Sequence, residues 1–157
     1  HLLTHYESYL KLEGAEGRML RENIKPRLRM LTLYYSGQGR NYLVLGTSNK
    51  SERMVGYSTK YGDSGVDLQL LGDFLKREIY ELARFLDIPE VIIDKPPSGG
   101  LWMEQTDVEE MGFTYEELDD FLEGHEVKSE VVERISRLIE INQHKNRMPP
   151  IPVVGRD

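Results

Sequence analysis

Leu3, Tyr6 and Leu10 recur at helical spacing and predict a helix over 2–12, which breaks at the charged, Gly-containing run 13–17. Asn23 reads as a helix N-cap and Pro26 is tolerated in a first turn. Leu28, Leu31 and Tyr35 then predict a helix that ends at Ser36, Gly37 and Gly39. Tyr42 to Leu45 is a continuous apolar run bounded by Asn41 and Gly46, the pattern of a strand buried on both faces of a parallel sheet. From Gly46 to Gly65 periodicity fades and Gly, Ser, Thr, Asn and Asp crowd together, as in functional loops. Leu71, Phe74, Leu75, Ile79, Leu82 and Leu86 predict an amphipathic helix closed before Pro89, and Val91 to Ile93 a short strand. Lys95 to Gly112 is loop-like and rich in Pro and Gly. Thr114 with Glu117 forms a capping box for a helix through Leu122, and Val132, Ile135 and Ile139 line another that runs out before Pro149. Helix, strand, loop, helix, strand, loop and two closing helices are the order of half a doubly wound α/β sheet.

Composition narrows the function classes. A chain of 157 residues with 39% hydrophobic content reads as one domain. Its 20 Lys and Arg stand against 27 Asp and Glu, and a net charge of -7 argues against a sequence-independent nucleic-acid surface. There is no cysteine, so disulfides, Cys-ligated zinc and thiol catalysis are excluded, which fits a reducing cytosol. No run is apolar enough for a signal peptide or membrane span. The four His are not paired at metal spacing, against a transition-metal site. His1 stands where a Met would open a complete chain, and the expectation is a mid-chain start.

Candidate chemistry gathers in the loops. Gly46 to Glu52 leaves the strand at its C-terminal end, where open α/β sheets place ligands. There Thr47 can donate to a nucleotide, and Glu52 is a hard oxygen ligand suited to magnesium. A polar strand-to-helix turn with Ser51 as cap explains the same residues. Lys60, Asp63 and Asp67 share a Gly-punctuated loop whose backbone can approach a ligand closely, or which is a solvated turn. Lys76 and Arg77 fall in a helix first turn, where the macrodipole disfavours cations, and an anionic ligand would reverse that sign. Pro96, Pro97, Gly99, Gly100 and Trp102 suit a lid that excludes water, or a long surface loop with Trp102 packed down. His144, Lys145 and Arg147 follow a helix, where cations complement the dipole without any ligand.

Taken in order and with their spacing, Lys25 to Met30, Gly46 to Glu52, Gly56 to Asp67, Lys76, Lys95 to Gln105, and His144 with Lys145 resemble the ammonia-dependent NAD synthetases. These are ATP pyrophosphatases of the adenine-nucleotide α-hydrolase fold. The resemblance implies amidation of deamido-NAD to NAD: ATP and magnesium first adenylate the nicotinate carboxylate, and ammonia then displaces AMP. It implies Asp63 and Lys76 as catalytic residues, and Thr47, Lys76 and Ser98 as ATP contacts. It implies Glu52 as the Mg2+ ligand, and Arg27, Lys60, Asp67, His144 and Lys145 as deamido-NAD contacts. The mobile lid falls on residues 95–112, and a cytoplasmic homodimer without nucleic-acid or membrane partners is expected.

Two departures matter. Val108 stands where the family usually has Glu, so no charge role is assigned there. The Ser-Gly-Gly-x-Asp-Ser phosphate loop, carried on the first strand of the family's sheet, does not occur in these residues. The expectation is that residues 1–157 are the C-terminal part of a single synthetase domain, inactive alone, with the first strand and phosphate loop missing. Two competing readings are a GMP or asparagine synthetase relative and a non-catalytic binding or dimerisation module.

Overall fold

The computed structural model describes residues 20–99 and 106–155. The helix expected over 2–12, and Trp102 and Gln105 of the expected lid, lie outside the described residues.

Helix α1 (Ile24–Gln38) spans the expected segment, with Pro26 buried in its first turn. Asn23 is helical in backbone and does not cap; its side chain instead accepts a bond from Thr59 Oγ1 at 2.7 Å. The apolar residues of α1 do not bury together: Leu31, Leu33 and Tyr35 are all exposed. Strand β1 (Leu45–Gly46) pairs in parallel with β2 (Leu68–Gln69), with Leu45 opposite Leu68. The expectation of a strand buried on both faces fails here. Val44 and Gly46 are buried while Tyr42, Leu43 and Leu45 are exposed, because only one face of the pair is covered by described residues.

Helix α2 (Lys50–Val55) arises inside the segment expected to be loop. Asn49 Oδ1 accepts the Glu52 N–H at 2.9 Å and Glu52 Oε2 accepts the Asn49 N–H at 3.3 Å, so Asn49, not Ser51, is the cap. Gly56 closes the helix at φ 67°, and a Cβ there would fall 2.3 Å from the Asn142 Cβ. Glycine is therefore required twice, by conformation and by the crossing chain.

The helix expected from Leu71 starts later, as α3 (Lys76–Phe85), because the preceding stretch is used for β2 and a turn. The strand expected at Val91 to Ile93 is instead the single helical turn α4 (Glu90–Ile93), which follows Pro89 and buries only Ile93. Helix α5 (Asp107–Met111) occupies the end of the expected lid loop, capped by Thr106. Helix α6 (Tyr115–Glu123) has the expected Thr114 and Glu117 capping box, and α7 (Ser129–Asn142) carries Ile135 into the core as its spacing requires. A 3-10 turn over Gln143–Lys145 follows.

Val55 of α2, Met111 of α5, Phe113, Tyr115 and Leu118 of α6 and Ile135 of α7 form the core, with Leu118 and Ile135 fully buried. This cluster sets α2 against α6 and α7, and so fixes the loops after β1 and α2 that carry the candidate site. No described helix is long and apolar enough to cross a membrane.

Candidate functional site

A cavity of about 580 Å³ opens beside the ends of β1 and α2, and Thr47, Glu52, Asp63, Ser98 and Lys145 all line it. Five of the expected site residues, drawn from segments nearly 100 positions apart, thus reach one space. Thr47 comes from the turn leaving β1, Glu52 from the first turn of α2, and Ser98 from the segment before α5.

Glu52 is held from several sides. One carboxylate oxygen completes the capping box, and the other receives Lys76 Nζ at 3.0 Å. The Lys76 ammonium also lies 4.6 Å from the centroid of the Tyr115 ring, a cation–π arrangement. The Tyr115 hydroxyl donates to Asp107 Oδ2 at 2.7 Å and stands 3.4 Å from Glu52 Oε1. Burial, then the neighbouring Glu52 charge, push the Tyr115 phenol far above its ordinary value, so it keeps its proton. Magnesium takes hard oxygens and is commonly held by one or two carboxylates plus phosphates and water. Glu52, which lines the cavity, supplies one such oxygen, and an ion there would draw its remaining ligands from phosphate and water.

Asp63 accepts the Thr59 N–H at 2.9 Å. Its carboxyl is open to the cavity, yet the protein crowding it raises its pKa above the ordinary range, with Glu52 adding to the rise and Thr59 and Lys145 opposing it. A carboxyl whose folded pKa is raised holds its proton longer in the folded state, so it lowers stability as pH climbs above the ordinary Asp value. Asp63→Asn is expected to remove that slope. Urea unfolding from mildly acidic to neutral pH would show wild type losing stability relative to the variant, and parallel profiles would exclude it.

Lys145 Nζ donates to the carbonyls of Gly56 at 2.7 Å and Ser58 at 2.9 Å, at the C-terminal end of α2. The sequence pointed to the end of the helix just before His144; Lys145 instead serves the end of α2, 89 residues earlier. Burial holds its ammonium below the ordinary lysine value.

Arg27, Lys60 and His144 meet outside the cavity lining. Arg27 Nε donates to the Lys60 carbonyl at 3.2 Å, and Lys60 Nζ lies 3.2 Å from His144 Nδ1. An ammonium only donates, so Nδ1 is the unprotonated nitrogen in this contact. Asp67 stands apart, accepting the Val44 N–H at 2.7 Å and the Tyr34 hydroxyl at 3.0 Å. In this arrangement it secures the start of β1.

The backbone of α3 does not offer the anion site expected at its N-terminus. The Lys76 N–H goes to Ser51 Oγ at 2.9 Å and the Arg77 N–H to Asp119 Oδ2 at 2.8 Å, while Ser51 donates to Asp119 Oδ1. The anion is internal: the fully buried Asp119 carboxylate. Arg77 is likewise compensated, with Asp120 at 2.6 Å and Glu123 at 3.3 Å. Asp107, Tyr115 and Asp119 were not among the expected site residues. Asp107 carried a signal, being the residue after a Thr N-cap, but nothing local tells that its carboxylate turns inward.

The sequence model of the family described as NAD synthase matches residues 2–149. The chain is 64% identical over 155 residues to the NH(3)-dependent NAD(+) synthetase of Syntrophomonas wolfei, covering 98% of this chain and 62% of that protein. It is 52% identical over 132 residues to the protein of that name in Carboxydothermus hydrogenoformans, covering 84% and 54%. Among solved structures, an NMN synthetase from Francisella tularensis superposes with a TM-score of 0.87 at 39% identity, over 96% of this chain and 61% of that one. The NH3-dependent NAD synthetase from Campylobacter jejuni gives 0.76 at 28% identity, over 97% and 62%. The chain thus spans about 60% of the length of these relatives, and its parallel strand pair and helices form part of their Rossmann-like fold. It belongs to the NAD synthase family.

Proposed function

We propose that this chain supplies the larger share of a site that amidates deamido-NAD to NAD, within a longer enzyme that uses ATP and ammonia. One observation carries the reading: Thr47, Glu52, Asp63 and Ser98, remote in sequence, line one cavity at the C-terminal end of β1. A carboxylate is a poor acyl electrophile. Transfer of AMP to it releases pyrophosphate and makes an acyl-adenylate, and ammonia then forms the amide with loss of AMP and a proton. Thr47, Ser98 and Lys76 bind the ATP, with Lys76 offering a cation to developing phosphate charge. Glu52 would hold Mg2+, which would supply charge neutralisation on the phosphates. Asp63, with its raised pKa, sits beside the reacting end and can take the proton that ammonia sheds. Arg27, Lys60, Asp67, His144 and Lys145 hold the dinucleotide acid. Assembly as a cytoplasmic homodimer belongs to the same reading, by analogy with the family.

The similarity to the Francisella NMN synthetase favours a second reading in which the mononucleotide is the product. Full-length enzyme given ATP, Mg2+ and ammonium is expected to make NAD from deamido-NAD, with one AMP and one pyrophosphate released per NAD. Faster NMN formation from the corresponding mononucleotide acid would establish the second reading. Activity on xanthosine monophosphate or aspartate alone would overturn both.

A further inference from the structure

Tyr115 stands between two carboxylates but owns one proton. Its hydroxyl is 2.7 Å from Asp107 Oδ2 and 3.4 Å from Glu52 Oε1, so the bond is made to Asp107. Asp107 is well fixed to receive it. The residue is 4% exposed, opens α5, and donates its N–H to the Pro97 carbonyl at 3.1 Å. Its other oxygen, Oδ1, is buried and accepts no well-formed hydrogen bond among the described residues: the neighbouring Tyr57 hydroxyl, whose phenol the Asp107 charge helps to keep protonated, donates to Glu110 Oε2 at 2.8 Å. Burying a carboxylate with one oxygen unsatisfied is costly. Neither the fold nor the reaction as described so far accounts for that cost.

We propose that Asp107 is a positioning residue for Glu52: by accepting the hydrogen bond of the Tyr115 hydroxyl it keeps that donor off Glu52 Oε1 and leaves this oxygen to cations. The inference rests on the reading of Glu52 as the metal-holding carboxylate. The alternative orientation is close at hand. Without the Asp107 acceptor, rotation about the Tyr115 C–O bond points the hydroxyl at Glu52, whose charge makes it the better remaining acceptor. The bond then formed occupies an oxygen that otherwise serves Lys76 and the metal ion. The Tyr115 ring keeps its separate task of holding the Lys76 ammonium, which a phenylalanine ring performs as well.

This predicts an epistatic pattern that a purely structural role does not produce. Mn2+ is titrated alone into full-length enzyme and its free-ion electron paramagnetic resonance signal is followed. Asp107→Ala is expected to weaken Mn2+ binding by about 10-fold, the scale for losing a partner of a metal ligand. Tyr115→Phe is expected to bind as tightly as wild type, and Asp107→Ala combined with Tyr115→Phe to recover most of the loss. A double variant no tighter than Asp107→Ala alone, or an unchanged Asp107→Ala, overturns the proposal. Where melting shows that Asp107→Ala does not fold, Tyr115→Phe decides: 10-fold weaker Mn2+ binding there overturns the proposal equally. Glu52→Gln serves as the separate control. If it binds Mn2+ as tightly as wild type, the assignment of Glu52 as metal ligand has failed, whatever the other variants do.

Discussion

Asp119→Ala is expected to destabilise the fold by about 3 kcal/mol, since hydrogen bonds to a charged group contribute about 1.5–3 kcal/mol each and two are lost. The carboxylate is fully buried and joins three elements. It accepts from Ser51 of α2 and from the Arg77 N–H of α3 while belonging to α6. Removing it also strips the negative charge from the start of α3, where Lys76 and Arg77 then face the positive end of the helix dipole uncompensated from that side. Asp119→Asn keeps the shape and one good acceptor, and is expected to cost about half as much. Equilibrium urea unfolding of both variants checks the order. A loss below ~0.5 kcal/mol for Asp119→Ala, the range of ordinary surface changes, would mean that this carboxylate does not hold the start of α3.

Glu52→Gln is expected to lower amidation by full-length enzyme on the order of 100-fold or more, the scale for removing a charge that acts on developing phosphate charge. The amide is isosteric and can still accept the Asn49 N–H, so the capping box of α2 survives in part. What disappears is the anion that Lys76 meets at 3.0 Å, in a pair whose side chains are 15% and 19% exposed. The expected stability cost is therefore small beside the catalytic loss, about 1–2 kcal/mol. Steady-state rates across a Mg2+ series, alongside a melting curve, separate the two effects. Full activity at ordinary Mg2+ would remove Glu52 from the metal role, and loss of activity with collapse of the melting transition would make its role structural.

These two carboxylates illustrate what was readable in advance. Glu52 stood out because a hard oxygen ligand after a Thr, at the end of an apolar strand, is where α/β sheets carry ligands. Asp119 did not, since it lies in an acidic stretch of α6 that reads as a solvated helix face. Its meaning depends on which helix end comes to rest against it.

The chain's own periodicity determined the helices that bury a stripe. Thr114 and Glu117 start α6 and Ile135 anchors α7 as their spacing requires, because capping and burial at 3.6-residue repeats are local properties. The order and spacing of the polar loops likewise carried the resemblance to the family, and that resemblance, not the local pattern, implied the candidates Thr47, Glu52, Asp63, Ser98 and Lys145. Local pattern failed where a neighbour decides. The apolar run at Tyr42 to Leu45 implied two covered faces, but burial depends on layers packed from elsewhere, and only one face is covered by described residues. Val91 to Ile93 has strand-forming residues but no strand beside it among the described residues, and it forms a helical turn. Tertiary structure alone decided the electrostatics of the site. It turned Asp119 into the anion at the start of α3 and Lys145 into a clasp on the end of α2. It also set Asp107 against the Tyr115 proton, since charges separated by tens of residues interact only once the core has brought their elements together.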